Sequence, residues 1–186
     1  MTRRAAATPK LIAVEGIETS ALLAAAKAAL AASTPRAPDA RGGISRWDAS
    51  GIFQDLAVAD DEAGVPSART LLLLYAADLA FRLRWQIRPA LAEGRTVVAA
   101  PYLDTAMAFG RAAGLPAGWL ANLFTFAPRA SERHFVHAHE GPVTGAHGGF
   151  VGFACDRARG GSKGRGRRRM IEQTAAHLRR AATRHR

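Results

Sequence analysis

An apolar segment, a glycine turn and a helix-forming segment follow one another near the start of the chain, an arrangement in which proteins hold phosphate. The apolar run Leu11–Val14 leads into Glu15 and Gly16, and Ser20–Leu30 has high helix propensity. In the pattern G-x-x-x-x-G-K-[ST], backbone amides surround the phosphates, a lysine neutralises them and a hydroxyl binds Mg²⁺. Counted from Gly16, the three later positions of that pattern carry Ala21, Leu22 and Leu23. The frame of a phosphate-binding loop is therefore present without its chemistry.

A group of histidines in the second half of the sequence raises the question of a metal site. The group consists of His134, His137, His139 and His147, with Glu140 nearby. In an extended strand His137 and His139 would lie on the same side, which suits two metal ligands. The spacing fixes no third ligand, and the sequence therefore predicts no metal centre.

The positive charge of the chain is concentrated at its end. The formal net charge is +11 over 186 residues. Residues 157–186 contain eleven Arg or Lys residues against one acidic residue, Glu172, whereas residues 1–156 contain fifteen basic and fourteen acidic residues. This asymmetry predicts a nearly neutral body, residues 1–156, followed by a basic segment, residues 157–186.

The basic segment has three alternative interpretations. Its Gly/Arg-rich part, Arg157–Arg169, is expected to be disordered, and four arginines there would contact the phosphates of a nucleic acid: Arg165, Arg167, Arg168 and Arg169. Base stacking is not expected, because no aromatic residue follows Phe153. The segment could instead only increase solubility, or a helix over Met170–Thr183 could dock on the body with its basic side in water.

Cysteine content and hydropathy favour a cytoplasmic protein. The single cysteine, Cys155, excludes an intramolecular disulfide and a cysteine-based zinc site, and we expect it to be a small buried side chain. The basic N-terminus lacks the apolar core of a signal peptide. The longest apolar stretch, Leu71–Ala77, is too short to span a membrane.

Strand and helix patterns alternate along the body. We expect strands at Leu11–Glu15, Ile44–Trp47, Arg95–Ala100, Leu123–Ala127, Phe135–His139 and Phe150–Ala154. We expect helices at Thr19–Ala32, Ser50–Leu56 and Leu103–Ala113, and a long helix, residues 67–93, with Ser67 as its N-cap, a kink at Pro89 and Gly94 as its stop. Asp78 and Arg82, four residues apart, should form an ion pair. The alternation predicts a three-layer α/β fold with a doubly wound parallel sheet.

Residues 71–115 carry several ordered motifs of one enzyme family. These motifs are Ala76-Ala77-Asp78, Ile87-Arg88-Pro89-Ala90-Leu91-Ala92-Glu93-Gly94, Val97-Val98 and Tyr102-Leu103-Asp104-Thr105. They resemble the Ala-x-Asp-Arg helix, the Ile-x-Pro-Ala-Leu-x-x-Gly segment, the buried strand and the Asp-Arg-Tyr segment of bacterial thymidylate kinases. Glu15-Gly16-Ile17-Glu18 is similar to the entry of that family's phosphate loop, and Ile44-Ser45-Arg46 lies where its Thr-Arg-Glu segment would. The resemblance covers about residues 11–130 and implies a P-loop NTPase-like fold.

The departures from that family fall on the residues expected to do its chemistry. Asp-Arg-Tyr becomes Ala100-Pro101-Tyr102, the arginine after Asp78 becomes Leu79, and the glutamine that recognises the thymine base becomes Gly110. The Arg-rich lid has no counterpart. Because phosphoryl transfer depends on positioning and on electrostatic stabilisation by such groups, the resemblance implies a catalytically deficient member without catalytic residues. Binding of ATP and Mg²⁺ would be residual.

Six residues in family-like positions could still touch a nucleotide: Glu15, Gly16, Arg46, Tyr102, Asp104 and Thr105. We expect a non-catalytic binding or regulatory module, which could form a homodimer through residues 67–93 because the family pairs through long helices. One alternative is an active nucleoside-monophosphate kinase whose phosphate contacts have moved to other arginines: Arg69, Arg82, Arg84 or Arg111. Another is a nucleic-acid-associated protein that acts through its basic segment.

Overall fold

A parallel β-sheet forms the centre of the computed structural model, which describes residues 9–33, 42–58, 64–136, 149–157 and 164–184. In these residues the sheet has four strands: β1 (Leu11–Glu15), β2 (Gly43–Arg46), β3 (Val97–Ala100) and β4 (Glu132–Phe135). Their order is β2-β3-β1-β4, and each neighbouring pair is parallel. β2 and β3 lie on one side of β1, and β4 lies on the other. Because the strand order changes direction at β1, a crevice opens at the carboxyl ends of the strands.

Helices connect the strands. In chain order they are α1 (Thr19–Ser33), α2 (Ile52–Val58), α3 (Ala68–Arg82), α4 (Arg88–Ala92), α5 (Asp104–Ala112), α6 (Ala117–Leu123), α7 (Phe150–Arg157) and α8 (Arg165–Arg184). A π-helical turn, Leu83–Ile87, joins α3 to α4 just before Pro89, so regular α-helix is interrupted where the sequence predicts a kink. None of the described helices combines the length and the apolar character that a membrane span requires.

The two faces of the sheet have separate apolar cores. One face packs against α1 through alternate residues of two strands, Ile12, Val14, Val98 and Ala100. The intervening residues face the larger core, to which α3, α5, α7 and α8 contribute: Leu11, Ala13, Val97 and Ala99. Successive side chains of a strand point to opposite faces, so both sides must be covered. The predicted three-layer, doubly wound parallel α/β fold is confirmed.

Local capping signals of the long helix are confirmed. Ser67 is the N-cap of α3, and its Oγ accepts a hydrogen bond from the Thr70 N–H at 3.1 Å. At the other end, Gly94 follows α4 with a φ of 77°, a left-handed conformation that favours glycine.

Two predicted strands are wrong. Leu123 ends α6, and the residues after it form a turn, so Leu123–Ala127 is not a strand. Phe150–Ala154 lies in α7, where Phe150 packs on Tyr75 with ring centroids 4.5 Å apart. Short apolar runs fit strands and helices equally well by pattern. Contact with the aromatic core favours the helix, since it buries residues on one helical side: Phe150, Val151, Ala154 and Cys155.

The fourth strand differs in position from the prediction. It covers Glu132–Phe135, whereas Phe135–His139 was expected, and residues 137–139 lie outside the described residues. Its neighbour is β1, with Ala13 opposite Arg133.

The chain ends in a helix that packs on the body. α8 contacts α5, α7 and β4, and three of its residues are buried: Ile171, Thr174 and Leu178. The alternative in which this helix docks on the body is therefore confirmed. Residues 165–169, expected to be disordered, form its first turns, while residues 158–163 lie outside the described part of the chain. The division into residues 1–156 and 157–186 stays a prediction.

Candidate functional site

A small cleft lies at the carboxyl ends of β2 and β3, beside the start of α1. Eight described residues line it: Thr19, Leu22, Leu23, Arg46, Trp47, Ala100, Pro101 and Gly149. Open α/β sheets bind ligands in this crevice. Among these lining residues Arg46 is the only charged one, and most of the wall is apolar.

The turn between β1 and α1 is short, and backbone N–H groups in and after it donate hydrogen bonds to other protein groups. β1 ends at Glu15 and α1 begins at Thr19, so three residues connect them. The Leu22 N–H donates to the Glu18 carbonyl at 2.9 Å, as in any helix interior. The Gly16 N–H donates to Oγ1 of Thr105 at 3.1 Å. Two amides of the candidate phosphate loop therefore already have partners.

Glu15 holds the start of α5. Its carboxylate is buried, and Oε1 accepts from the backbone N–H groups of Leu103 and Asp104 at 2.8 and 3.0 Å. Oε2 accepts from the N–H of Tyr102 at 3.2 Å and from the N–H and hydroxyl of Thr105 at 3.0 and 2.7 Å. A carboxylate in this position satisfies free N–H groups at a helix start and interacts favourably with the helix dipole. The end of β1 is thereby joined to α5.

Asp104 and Tyr102, which lie next to Glu15, also have partners within the protein. Burial raises the pKa of Glu15, the charge of Asp104 raises it further, and hydrogen bonds from Thr105 and Asp104 oppose the shift. Asp104 pairs with Arg133, with 3.2 Å between Oδ2 and Nη1. The Tyr102 hydroxyl donates to the carbonyl of Pro128 at 2.7 Å, and burial raises the pKa of Tyr102 to about 12.

A buried arginine supports the floor of the cleft. Arg82 is fully buried; its Nε donates to Oγ of Ser45 at 3.0 Å, and its Nη2 donates to the carbonyls of Ser45 and Pro101 at 2.8 and 3.0 Å. Its Nη1 lies 3.9 Å from Oδ2 of Asp78, which confirms the expected ion pair. Asp78 in turn accepts hydrogen bonds from the loop after β2, at the N–H groups of Asp48 and Ser50 and the Ser50 hydroxyl. This network connects α3 to the ends of β2 and β3.

The other arginines considered as relocated phosphate contacts lie elsewhere. The guanidinium of Arg69 is 5.1 Å from the ring centroid of Trp119, and that of Arg84 is 5.5 Å from the ring centroid of Trp85. Arg111 lies on α5. None of them belongs to the described lining of the cleft.

Position 110 faces the core instead of the cleft. A Cβ placed on Gly110 would lie 2.4 Å from Cδ2 of Leu120 and 2.9 Å from Cδ1 of Leu72. A glutamine at this position would therefore collide with α6 and α3 in this structure. Helix packing therefore favours glycine at position 110.

Two polar groups of the cleft were not anticipated from the sequence. Oγ1 of Thr19 and Nε1 of Trp47 are buried and have no hydrogen-bond partner. Trp47 directly follows the last residue of β2, and its ring packs on Phe53 with 5.1 Å between centroids. An aromatic residue at a strand end could have drawn attention to Trp47, but no local pattern distinguishes Thr19.

The remaining candidate residues are the histidine group and the arginines of the basic segment. No group of three or more possible metal ligands occurs within the described residues, and His137, His139, Glu140 and His147 lie outside them. His134 is exposed, 3.8 Å from a carboxylate oxygen of Glu132. Of the four arginines singled out in the basic segment, Arg167 pairs with Asp156 and Arg168 with Glu172, while Arg165 and Arg169 are exposed.

Comparison with known proteins gives both a sequence and a structural match. No family model matches the chain. Over 57 residues it is 42% identical to a probable thymidylate kinase of Pyrococcus horikoshii and equally to one of Pyrococcus abyssi. Each match spans 31% of this chain and only 28% of the relative. The crystal structure of a thymidylate kinase from Ehrlichia chaffeensis superposes with a TM-score of 0.65 at 12% identity, over 95% of this chain and 87% of that one. The chain therefore has the fold of thymidylate kinase, which is P-loop NTPase-like, and shares a stretch of sequence with members of that family.

Proposed function

We propose that this chain is a non-catalytic protein with a thymidylate-kinase-like fold, which acts as a binding or regulatory module. The main support for this proposal is the helical hydrogen bond that the Leu22 N–H donates to the Glu18 carbonyl. At that position a phosphate loop has its lysine, and the amide contributes to the anion-binding nest. Here the side chain is apolar and the amide already donates to Glu18.

The residues of the cleft do not fit Mg²⁺ and a nucleoside triphosphate. Mg²⁺ requires oxygen ligands in near-octahedral geometry, and phosphates require several donors or cations. The described lining offers Leu23 where the loop hydroxyl would be and Ala100 and Pro101 at the end of β3. We therefore derive no phosphoryl-transfer step for this chain, since the described lining of the cleft offers an active kinase one cation only, Arg46.

A small ligand with one negative charge fits the cleft better. The guanidinium of Arg46 supplies a single positive charge, and Thr19 Oγ1 and Trp47 Nε1 supply two buried groups without partners. Leu22 and Pro101 provide apolar contact on either side. Of the six residues expected to touch a nucleotide, Arg46 alone belongs to the described lining. Glu15 instead accepts hydrogen bonds at the start of α5.

The enzymatic test measures phosphate transfer from ATP to thymidine monophosphate with Mg²⁺, at protein concentrations far above those used for an active thymidylate kinase, which serves as the positive control. We expect no turnover above background. Turnover that disappears on Arg46→Ala or Asp104→Ala would overturn the proposal.

A thermal-shift series tests the ligand directly. ATP, ADP, thymidine nucleotides with and without Mg²⁺, and small carboxylates and phosphate are added to the wild type and to Arg46→Ala. A small anion should raise the melting temperature of the wild type alone, because a ligand stabilises the folded state it binds. A shift of several degrees that requires both ATP and Mg²⁺ would instead support a working nucleotide pocket.

We also propose that two copies pair through residues 67–93. Leu73, Ala77 and Phe81 recur every fourth residue on an exposed side of α3, and Trp85 follows in the π-helical turn. Leu73 and Trp85 are 50% and 64% exposed, which is unusual for side chains of this size. Leu73→Lys should convert a dimer to a monomer in sedimentation analysis, whereas Val58→Lys, an equally apolar exposed control on α2, should not. A wild type that is monomeric at high micromolar concentration would refute the pairing.

A further inference from the structure

Helix α8 exposes arginines along one side, in a group near its start and a group near its end. Its apolar side is docked through Ile171 and Leu178. On the opposite side, five exposed arginines have no carboxylate within salt-bridge distance among the described residues: Arg165, Arg169, Arg179, Arg180 and Arg184. At 3.6 residues per turn these five lie within about 140° of the helix circumference. We call these five arginines the basic face.

Two carboxylates, Asp156 and Glu172, pair with other arginines of α8. Asp156 of α7 binds Arg167, and Glu172 binds Arg168 across one helical turn at 2.8 Å. The first pair attaches α8 to α7, so the helix is held in place. Among the described residues, the five arginines of the basic face have no carboxylate partner, and α8 is packed on the body.

We propose that the basic face binds double-stranded nucleic acid through its phosphates. The face has two groups, Arg165 with Arg169 near the start of α8, and Arg179 with Arg180 and Arg184 near its end. With a rise of 1.5 Å per residue, about 15 Å of helix separates Arg169 from Arg179. The major groove of B-DNA is about 12 Å wide, so the two groups can contact the phosphate rows on either side of it.

The structure favours a duplex over a single strand or a membrane. Single-strand binding relies on aromatic side chains for base stacking, and α8 contains none. A helix lying in a membrane surface needs a free apolar side, but that side of α8 packs on the body. Phosphate contacts alone predict binding that does not depend on base sequence.

The experiment measures fluorescence anisotropy of a labelled 20-base-pair duplex with the full chain, between 50 and 200 mM KCl. Five phosphate contacts predict a slope of log K against log salt of about −4.5, or about a 500-fold loss of affinity across that range. The variant Arg179→Ala/Arg180→Ala should reduce the slope to about −2.7. The matched control Arg69→Ala/Arg88→Ala removes the same charge from exposed positions on α3 and α4 and should leave the slope unchanged. Circular dichroism checks that both variants fold.

Three outcomes would overturn the inference. The first is a slope that the basic-face variant and the control change equally, since this would reflect net charge alone. The second is a single strand of the same length that binds as tightly as the duplex. The third is binding to vesicles of phosphatidylserine and phosphatidylcholine without binding to the duplex.

Discussion

Replacing Arg82 by methionine should lower the free energy of unfolding by about 3–5 kcal/mol, the range found when one partner of a buried ion pair is removed. Methionine keeps most of the volume of the side chain but none of its donors. Three hydrogen bonds from Arg82 to Ser45 and Pro101 disappear, and Asp78 keeps a buried charge without its cation. A loss of this size is a large fraction of the stability of an ordinary domain.

The interaction between Arg82 and Asp78 can be separated from the hydrogen bonds. Their closest charged atoms are 3.9 Å apart, which at an effective dielectric constant near 20 corresponds to about 4 kcal/mol. Asp78→Asn removes the charge and keeps one acceptor oxygen, which can still serve the N–H and hydroxyl of Ser50, while the Asp48 N–H loses its acceptor. A double-mutant cycle with Arg82→Met and Asp78→Asn should therefore give a coupling energy of about 2–4 kcal/mol.

The assay is urea unfolding of the wild type, the two single variants and the double variant, followed by circular dichroism. Arg84→Met, an exposed arginine in the next helical turn, is the matched control and should cost less than about 1 kcal/mol. A cost of Arg82→Met no greater than that of the control, or a coupling energy near zero, would refute the electrostatic account of this network.

Three further predictions concern the cap of α5, the packing of α5 and alkaline pH. Glu15→Gln should cost about 2–4 kcal/mol in urea unfolding, because at least two of its five donors then face an amide NH₂ group. Gly110→Ala should cost about 1–3 kcal/mol, since its Cβ would overlap Leu120. Burial raises the pKa of Tyr102 from 10.0 to about 12, so stability present below pH 10 should be lost as the pH rises through 12, measured by circular dichroism together with phenolate absorbance.

Each of these predictions has its own control. Thr105→Val removes a single hydroxyl of the same cap and should cost less than Glu15→Gln; the opposite order would contradict the role given to Glu15. In a Leu120→Ala background Gly110→Ala should cost less than in the wild type, and an equal cost in both backgrounds would argue against overlap at that site. Tyr102→Phe should shift the alkaline transition to higher pH, and an unchanged transition would assign it to other groups.

Elements with strong local signals were predicted from the sequence. The apolar runs of β1 and β3, the helix propensity of α1 and the Ser67 cap depend on residues close together in the chain, and all of them are confirmed. Short apolar segments without such signals were ambiguous. Phe150–Ala154 is helical, and the ring of Phe150 packs on the rings of Tyr75 and Phe109, which lie far away in the sequence.

The sequence by itself determined the layered α/β fold, the apolar residues at the candidate phosphate loop and the concentration of arginine at the chain end. Only the tertiary structure decided how the polar residues are used. Glu15 meets Thr105 because β1 and α5 share one end of the sheet, and Arg82 meets Pro101 because α3, which ends at Arg82, packs in the same core as β3, which Pro101 directly follows. Sequence patterns record the preferences of near neighbours, whereas strand order sets which distant groups share a buried space. For that reason Glu15, a candidate ligand contact in the sequence, is a structural cap in the folded protein.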